Sequence, residues 1–293
     1  MSFEEAKKAL ARDGFVVFTG VLTPEEVAQY KQKVYDWQAT IPDYKWLQPK
    51  ISPHGIHKHW GAGHTDFAWL IRTHPNVLSV FRELWGLPED GELAVSFDGS
   101  CYIPKEHKGK DNVWTHTDQA PNQKGIHCYQ GFVSLTDNKE RTFRVYEGTH
   151  LQHEKYFEDR NITGSKRWNI IDQSYLDTMQ DKKRVLNVPA GSLVIWDSRA
   201  FHQNQYGAPG SEERIVQYVS YLPKNNPGYT PSQQKKRLAY FEDLRTTTHW
   251  AYPVIVNGLQ PQTYGDERKK IDYSKLPRPN LSNIDPLAIK QLI

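Results

Sequence analysis

The sequence predicts a mostly β protein, a sandwich or a barrel, with helices flanking the β core. From about Glu92 onward, short apolar or alternating runs follow one another between turn residues, which is typical of this class. These runs are "LAVSF", "NVWTH", "CYQGFVSL", "FRVY", "RVLNV", "SLVIW" and "RIVQYVSYL". The chain before them has helical spacing, and no repeat or low-complexity tract divides the sequence. We therefore expect one domain over residues 1–293, with a helical part at about 1–90, a β core at about 91–223 and a helical and extended part at 224–293.

Composition and charge indicate an ordinary globular protein. Of the 293 residues, 38% are hydrophobic and 24% charged, which is enough to bury a substantial core. The formal net charge is only +3, without the concentrated basic stripe that contacts phosphates, so no nucleic-acid partner is expected. Two cysteines, Cys101 and Cys128, do not make a disulfide framework, and a reducing compartment is expected. Because neither a signal-peptide pattern nor a membrane-spanning apolar run is found, we expect a cytoplasmic protein with no membrane partner.

The helical part begins with an amphipathic pattern in "MSFEEAKKALARDGF", followed by the short strand "FVVF". In "LTPEEVAQYKQKVYDW", Thr23 is the predicted N-cap, Pro24 the first helical residue and Glu26 the residue that completes a capping box. A loop rich in His, Gly and Pro is expected at about residues 41–63. A second helix is expected at about residues 66–85.

The stretch "WTHTDQ" carries the first candidate metal ligands. On a strand, Trp114, His116 and Asp118 face one way, while Thr115 and Thr117 face the other. An imidazole and a carboxylate on one face supply two of the three groups in the facial triad that binds non-haem Fe(II). The sequence therefore predicts that His116 and Asp118 are metal ligands.

A third ligand and a cation for a cosubstrate follow later in the chain. The best second histidine is His202, at the end of "AGSLVIWDSRAFHQN". The triad leaves three metal positions open, which suits a bidentate acid such as 2-oxoglutarate together with dioxygen. The second carboxylate of that acid needs a cation, and Arg214 is the candidate because a guanidinium holds a carboxylate by two parallel hydrogen bonds. The loop "QNQYGAPGSEE" is expected to form a hairpin that brings Arg214 beside His202. Arg199 is the next candidate, although an ion pair with Asp197 is its expected role.

Other histidines compete for the metal. "GHTDF" contains a second His-x-Asp pair, His64 and Asp66, but a helical pattern follows it, so capping by Thr65 or Asp66 is expected. His127 and His150 each stand alone beside a strand, and a structural or surface role is expected for both.

The strand "TFRVY" carries a candidate for substrate binding. Its alternation puts Thr142 and Arg144 on one face and Phe143 and Val145 on the other, where the apolar pair is expected to pack into a core layer. Thr142 and Arg144 then face either solvent or the rim of a pocket. The sharper hypothesis is that Arg144, with Arg141, binds an anionic group on the substrate.

Taken in order, these segments resemble the phytanoyl-CoA dioxygenase family of Fe(II)/2-oxoglutarate oxygenases over about residues 8–223. "DGFVVFTGVLTPEEV" resembles the opening strand and helix of the family, and "WTHTDQ" resembles its His-x-Asp-Gln motif. "QGFVSLTDN" and "YEGTHLQHEKYF" resemble the following strand and the Gly-Ser/Thr-His turn. "PAGSLVIWDSRAFHQN" and "RIVQYVSYLP" resemble the strands that bring the distal histidine and the arginine.

The resemblance implies a double-stranded β-helix, that is, a jelly-roll or cupin-like barrel with helices outside. It also implies an enzyme that uses Fe(II), 2-oxoglutarate and dioxygen, releases succinate and CO2, and usually hydroxylates its substrate. Carried over by position, His116, Asp118 and His202 are the iron ligands, Arg214 holds the distal carboxylate of 2-oxoglutarate, and Asn204 contacts the same cosubstrate. No catalytic residue is expected beyond the metal ligands.

Two departures bear on the substrate. "ERTFR" and "EGTH" stand where the family commonly has smaller residues near the site mouth, so a phytanoyl-CoA substrate is not carried over. Asp118 is present where halogenating members have a small residue, which favours hydroxylation. The expected substrate is a small organic molecule, and the candidate substrate residues are Arg144, Arg141, Gln130 and Trp114.

Two other functions stay open. One is an oxygenase that acts on a protein side chain or a nucleobase, although the flat charge balance disfavours nucleic acid. The other is a catalytically silent barrel that only binds ligands. A silent barrel has no need of His116, Asp118, His202 and Arg214 together, so these four residues favour the enzyme.

Overall fold

The structure is a computed structural model and describes residues 2–52, 54–109 and 111–293. Within these ranges the chain forms nine α-helices and eleven β-strands, together with short 3-10 turns. The helices are α1 (Phe3–Asp13), α2 (Pro24–Ala39), α3 (Tyr44–Ile51), α4 (Asp66–Arg72), α5 (Pro75–Leu84), α6 (His153–Glu158), α7 (Gln173–Asp177), α8 (Pro231–Glu242) and α9 (Pro286–Leu292). The strands are β1 (Phe15–Phe18), β2 (Leu93–Val95), β3 (Ser100–Ile103), β4 (His116–Thr117), β5 (Tyr129–Ser134), β6 (Phe143–Tyr146), β7 (Asn169–Ile170), β8 (Lys183–Val185), β9 (Leu193–Asp197), β10 (His202–Asn204) and β11 (Arg214–Pro223).

Two compact units make up the described chain. The first unit comprises Met1–Gly20 and Ile103–Arg214, and the second comprises Val21–Tyr102 and Ile215–Ile293. The expected division into helical, β and C-terminal parts does not follow these units, because β1 near the N-terminus pairs with β9 of the first unit. The single domain over residues 1–293 stays a prediction.

Successive strands of the first unit alternate between two antiparallel sheets. One sheet has the order β1, β9, β5, and the other has the order β7, β4, β10, β6, β8. Along the chain, β4, β6 and β10 belong to the second of these sheets, while β5 and β9, which lie between them in sequence, belong to the first. This crossing from sheet to sheet is the arrangement of the predicted double-stranded β-helix. β9 is buried along its whole length, which explains its continuous apolar run.

The second unit contains α2 to α5, α8 and α9, and the antiparallel pairing of β2 with β11. Arg237 on α8 is fully buried, and its guanidinium donates to the carbonyl oxygens of Ala251, Val95 and Leu292 at 2.6, 2.7 and 2.7 Å. Burial lowers the pKa of Arg237 to about 10, so the side chain stays charged near neutral pH. One buried cation therefore joins α8 to β2 and α9.

Several elements differ from the prediction for local reasons. α2 starts and is capped as predicted, with the capping box in place. The helix predicted at residues 66–85 is two helices, α4 and α5, because Pro75 has no amide hydrogen to continue α4 and restricts His74 before it. The loop predicted at residues 41–63 contains α3, whose buried residues Tyr44, Leu47 and Gln48 have helical spacing.

All eight predicted strand segments, including "FVVF", overlap a strand, but "NVWTH" does so only at its last residue, His116. β3, β7 and β10 were not predicted, because each has two to four residues, too few to show a periodicity. Among the described residues, no helix combines the length and the apolar character that crossing a bilayer requires.

Candidate metal centre

Two histidines and one aspartate meet in the first unit with their ligand atoms close together. His116 on β4 and His202 on β10 lie directly opposite each other in neighbouring strands, and their ring centroids are 4.4 Å apart. The carboxylate oxygens of Asp118 lie 3.7 Å from Nε2 of His116 and 3.4 Å from Nε2 of His202. One ligand atom from each residue lies within 4.8 Å of the other two, and all three residues are buried. In the part of the chain that the structure describes, this is the one cluster of His, Cys, Asp or Glu with the spacing of a metal site.

Hydrogen bonds hold both imidazole rings in the tautomer of a metal ligand. Nδ1 of His116 donates to the carbonyl oxygen of Trp114 at 3.1 Å, and Nδ1 of His202 donates to that of Ala200 at 2.9 Å. Because a carbonyl oxygen only accepts, Nδ1 of each ring carries a proton, which leaves Nε2 as the nitrogen that is available to a metal. Such outer hydrogen bonds orient metal ligands and fix their tautomers.

The predicted alternation around His116 is confirmed. Thr115 donates through Oγ1 to Oε1 of Gln203 at 2.7 Å, and Thr117 donates through Oγ1 to the carbonyl oxygen of Ser198 at 3.0 Å. The two threonines are thus bound on the side away from the candidate ligands. Their hydrogen bonds fix the short strand β4 on both sides of the first ligand.

Two indole rings flank His116. Trp114 stacks on the imidazole with ring centroids 5.0 Å apart and planes inclined by 18°. Trp168, just before β7, lies 5.6 Å from the same imidazole and is 41% exposed. Trp168 therefore lies between His116 and solvent, and no pattern in the sequence predicted this position.

A buried aromatic cluster, formed by Phe132, Phe143 and Trp196, contacts both His202 and Arg214. Phe143 and Trp196 lie 5.4 and 5.2 Å from the ring of His202, and both contact Phe132, at 5.7 and 6.0 Å. The guanidinium carbon of Arg214 lies 5.1 Å from the centroid of Phe132, and Arg214 is fully buried. The candidate cation and the second histidine therefore share one apolar environment.

The hairpin predicted between His202 and Arg214 is wrong. β10, which carries His202, pairs with β4 and β6, whereas β11, which begins at Arg214, pairs with β2. The loop between β10 and β11 contains Gly and Pro, which are also typical of a hairpin. In a double-stranded β-helix, however, consecutive strands can belong to different sheets, and this loop leads from one sheet to the other. Turn residues alone do not distinguish a hairpin from such a crossing.

Two further candidates lie next to the ligands. Asn204 is buried on β10, two residues beyond His202, so both side chains lie on one face of the strand. Gln130 on β5 is fully buried and donates through Nε2 to Oδ2 of Asp118 at 3.1 Å. The roles predicted for Asn204 and Gln130 stay predictions.

The donor set fits Fe(II). Two neutral imidazoles and one carboxylate form the facial triad of non-haem iron sites, which leaves positions for a chelating acid and dioxygen. The family profile described as Phytanoyl-CoA dioxygenase (PhyH) matches residues 10–205, more than half of the chain, and includes all three candidate ligands.

The chain belongs to the phytanoyl-CoA dioxygenase family.

It is therefore an Fe(II)/2-oxoglutarate-dependent dioxygenase, an oxidoreductase with the predicted cofactors. The match ends before Arg214, and the role predicted for Arg214 stays a prediction.

The chain is also similar to a curated relative and to solved structures. Ava biosynthesis cluster protein O of Aspergillus versicolor is 26% identical over 261 residues, which cover 81% of this chain and 83% of that protein. The structure of GlcNAc Inducible Gene 2, GIG2 (DUF1479), of Candida albicans is similar with a TM-score of 0.68 at 14% identity, over 99% of this chain and 76% of that one. The non-heme alpha ketoglutarate dependent carbocyclase SnoK from nogalamycin biosynthesis gives a TM-score of 0.52 at 20% identity, over 87% of this chain and 96% of that one. At these identities, the structural similarity establishes the fold alone.

In this phytanoyl-CoA dioxygenase family member, Arg144 is bound by other side chains of the protein. Its Nε and Nη2 donate to Oε1 of Gln205 at 3.1 and 2.7 Å, and Nη2 also donates to Oδ2 of Asp111 at 3.1 Å. Phe143, the next residue on β6, points to the opposite face and contacts His202. Arg144 therefore extends from the face of β6 away from the aromatic cluster, and it is not exposed to solvent.

Arg141 is held by the backbone. Its guanidinium donates to the carbonyl oxygens of Tyr206 and His107 at 2.9 and 2.8 Å, and also to that of Pro104. The residue is fully buried. These contacts tie the segment after β3 to the loop after β10, and a substrate role for Arg141 stays a prediction.

The second His-x-Asp pair has the structural role that was predicted. Thr65 caps α4 by accepting a first-turn amide hydrogen at 3.4 Å. His64 is buried against the carbonyl oxygen of Arg245 at 3.0 Å, and burial lowers its pKa to about 3. Asp66 forms an ion pair with Lys33 at 2.7 Å.

The remaining competitors are also bound elsewhere. Nε2 of His127 and Nε2 of His150 each contact a backbone carbonyl oxygen, at 3.1 and 3.0 Å. Arg199 donates to both carboxylate oxygens of Asp197, at 3.0 and 2.7 Å, as expected.

Proposed function

We propose that this enzyme hydroxylates a small organic substrate and that His116, Asp118 and His202 are the residues that hold its Fe(II). The observation that carries the assignment is the meeting of three ligand atoms within 4.8 Å, with both imidazoles held as Nδ1–H tautomers. Bound iron(II) and 2-oxoglutarate supply the activation of dioxygen that yields succinate, CO2 and a hydroxylated product.

The chain holds the ligands in place through their neighbours. The carbonyl groups of Trp114 and Ala200 orient the two rings, so that little reorganisation is needed when the metal binds. The amide of Gln130 holds the carboxylate of Asp118. The aromatic cluster keeps water from the side of His202, which strengthens electrostatic contacts within the site.

We assign the distal carboxylate of 2-oxoglutarate to Arg214, with Asn204 as a second contact. Arg214 is a fully buried guanidinium beside Phe132, in a low-dielectric environment where a charge-assisted pair with a carboxylate is strong. Arg214 and His202 contact the same aromatic cluster. This supports a cosubstrate that reaches from the metal to the guanidinium.

An anionic substrate bound by Arg144 is a further part of the proposal. Asp111 is a carboxylate that already occupies Nη2 of Arg144, and the side chain of Asp111 is 29% exposed. A substrate anion would therefore bind this guanidinium by displacing Asp111. In this proposal, Asp111 competes with the substrate anion for Arg144.

The proposed function is tested by succinate release from 2-oxoglutarate, with and without Fe(II), in the presence of a pool of small metabolites. We expect Fe(II)-dependent succinate, increased by those fractions that contain the substrate. A silent binding barrel would release none under any condition. Stimulation by a protein extract, but not by small metabolites, would instead favour the protein oxygenase.

A further inference from the structure

Two buried polar atoms beside the metal centre have no hydrogen-bond partner among the described residues. They are Oε1 of Gln130 and Nε1 of Trp196. The two residues are 0% and 1% exposed, respectively. An unpaired buried donor or acceptor loses the hydrogen bonds that water supplies in the unfolded chain, so folded proteins seldom leave one unsatisfied. Beside a metal centre, such an unpaired atom is a candidate contact for a bound molecule.

The two residues lie side by side and face the metal centre. Gln130 on β5 is directly opposite Trp196 on β9 in the antiparallel ladder, so their side chains share one face of the sheet. Gln130 donates through Nε2 to Oδ2 of Asp118 at 3.1 Å. The ring of Trp196 lies 5.2 Å from the ring of His202. The side chains that carry the unpaired acceptor and the unpaired donor are therefore neighbours on one face of the sheet, and each lies next to one of the candidate ligands.

The chemistry of the groups fixes what each atom requires. An ionised carboxylate only accepts hydrogen bonds, so the NH2 end of the Gln130 amide must face Asp118, and Oε1 is the end that is left. An indole Nε1–H, as in Trp196, only donates. The pair therefore offers one acceptor and one donor to a ligand.

2-Oxoglutarate does not satisfy both atoms. As a dianion it accepts from the indole, but it has no O–H or N–H group to donate to Gln130. A hydroxyl group satisfies both, because it has one O–H donor and two lone pairs. We infer that Gln130 and Trp196 bind a hydroxyl group of the organic substrate, so that the enzyme takes an alcohol or a phenol rather than a plain hydrocarbon chain. The inference rests on the proposed function and names its substrate class.

The second unit, which contains none of the three candidate ligands, provides matched controls. Gln217 and Trp69 are both fully buried there, and Oε1 of Gln217 and Nε1 of Trp69 have no partner among the described residues. Gln217→Met and Trp69→Phe therefore make the same chemical changes as Gln130→Met and Trp196→Phe, in the unit without the metal centre.

The test uses two probes that differ in one donor, 2-naphthol and its methyl ether, 2-methoxynaphthalene. Affinities are measured by ligand-observed NMR titration of the protein loaded with Zn(II), which is diamagnetic, and 2-oxoglutarate. The wild type is expected to bind the naphthol at least about ten-fold more tightly than the ether, as for one hydrogen bond in a buried site. Gln130→Met should remove that preference, and Trp196→Phe should weaken naphthol binding several-fold. Gln217→Met and Trp69→Phe should leave both affinities unchanged.

A second readout is the indole N–H spectrum of the wild type. The signal that is missing in Trp196→Phe should shift when the naphthol binds, and the signal of Trp69 should not. Equal affinity of the wild type for both probes, including no binding of either, overturns the inference without relying on any variant to fold. A preference that survives in folded Gln130→Met also overturns it, and so does an ordered water that stays on both atoms when the naphthol is bound. Zn(II) and 2-oxoglutarate are titrated first. If they do not bind, the result contradicts the proposed function and is distinguished from a failure of the hydroxyl inference.

Discussion

Each candidate histidine ligand is oriented by the carbonyl group two residues before it. His116 uses Trp114, and His202 uses Ala200. Because the contact is made by the backbone, it does not depend on the side chains of Trp114 and Ala200. The sequence could therefore indicate the three candidate ligands, but not the backbone contacts that fix the tautomers of the two histidines.

The first prediction concerns the ligands themselves. His116→Ala, Asp118→Ala and His202→Ala should each abolish Fe(II)-dependent succinate release, because each removes one of three protein donors. His64→Gln should keep it, because His64 is buried against a backbone carbonyl oxygen in the second unit. Thermal melting of each variant controls for folding. Loss of metal binding in His64→Gln, with retention in His116→Ala, would show that the other dyad binds the metal.

The second prediction concerns the cosubstrate. Arg214→Ala should raise the 2-oxoglutarate requirement by about 30-fold or more, since removing one partner of a buried charge pair costs roughly 2–5 kcal/mol. Arg214→Lys should be intermediate, because it keeps the charge and loses the planar pair of donors. Metal binding should survive in both variants. An unchanged KM for 2-oxoglutarate in Arg214→Ala would move the role to another residue.

The third prediction separates substrate binding from structure at Arg144. If a substrate anion displaces Asp111 from Arg144, Asp111→Asn should tighten substrate binding and Arg144→Ala should weaken it. The affinity of the wild type for the substrate should also fall as salt is added, because salt screens the attraction between the two charges. The measurement is the KM of the substrate found by the metabolite screen, at two ionic strengths. A neutral substrate, or the same KM in all three proteins, would leave Arg144 a purely structural role.

At the scale of elements, the sequence predicted long, strongly patterned segments and missed short or tertiary ones. β9 and β11 were predicted because their apolar runs are long and buried. β7 and β10 have two or three residues, and their pairing depends on strands that are distant in sequence. For the same reason Trp168, carried beside His116 by the pairing of β7 with β4, could not be found from the local sequence.

The fourth prediction concerns the turn before α4. His64 has its pKa lowered by burial from 6.5 to about 3, so the folded state binds fewer protons than the unfolded state between these values. Stability must then fall as the pH drops below 6.5, and at pH 5 the cost is about 2 kcal/mol for this residue. The measurement is the free energy of unfolding in urea at pH 7 and at pH 5. Its decrease between pH 7 and pH 5 should be about 2 kcal/mol smaller in His64→Gln than in the wild type. Equal losses would contradict a buried, neutral His64.

At the scale of the whole molecule, the site is concentrated in one unit. All three candidate ligands, the aromatic cluster and Arg214 belong to the first unit. The ordered motifs of the sequence were sufficient to predict the family and the double-stranded β-helix, because those motifs follow the order of its strands. The route between His202 and Arg214 was not predictable, because it depends on which sheet each strand joins.

The fifth prediction is a stability effect of ligand binding. Ni(II) with 2-oxoglutarate should raise the melting temperature of the wild type, because ligands that bind the native state alone stabilise it by about 2.7 kcal/mol at a hundred times Kd. Asp118→Ala should lose most of this effect, and Arg214→Ala should lose the part that 2-oxoglutarate adds to the metal. A shift of equal size in Asp118→Ala would place the metal elsewhere.

The most direct test of the metal assignment is anomalous X-ray scattering from crystals soaked with Ni(II) and 2-oxoglutarate. The account predicts one strong anomalous peak bounded by Nε2 of His116, Nε2 of His202 and the carboxylate of Asp118. It also predicts density for 2-oxoglutarate that ends at the guanidinium of Arg214. A peak at His64 and Asp66, or no peak at these three ligands in metal-soaked crystals, would contradict it.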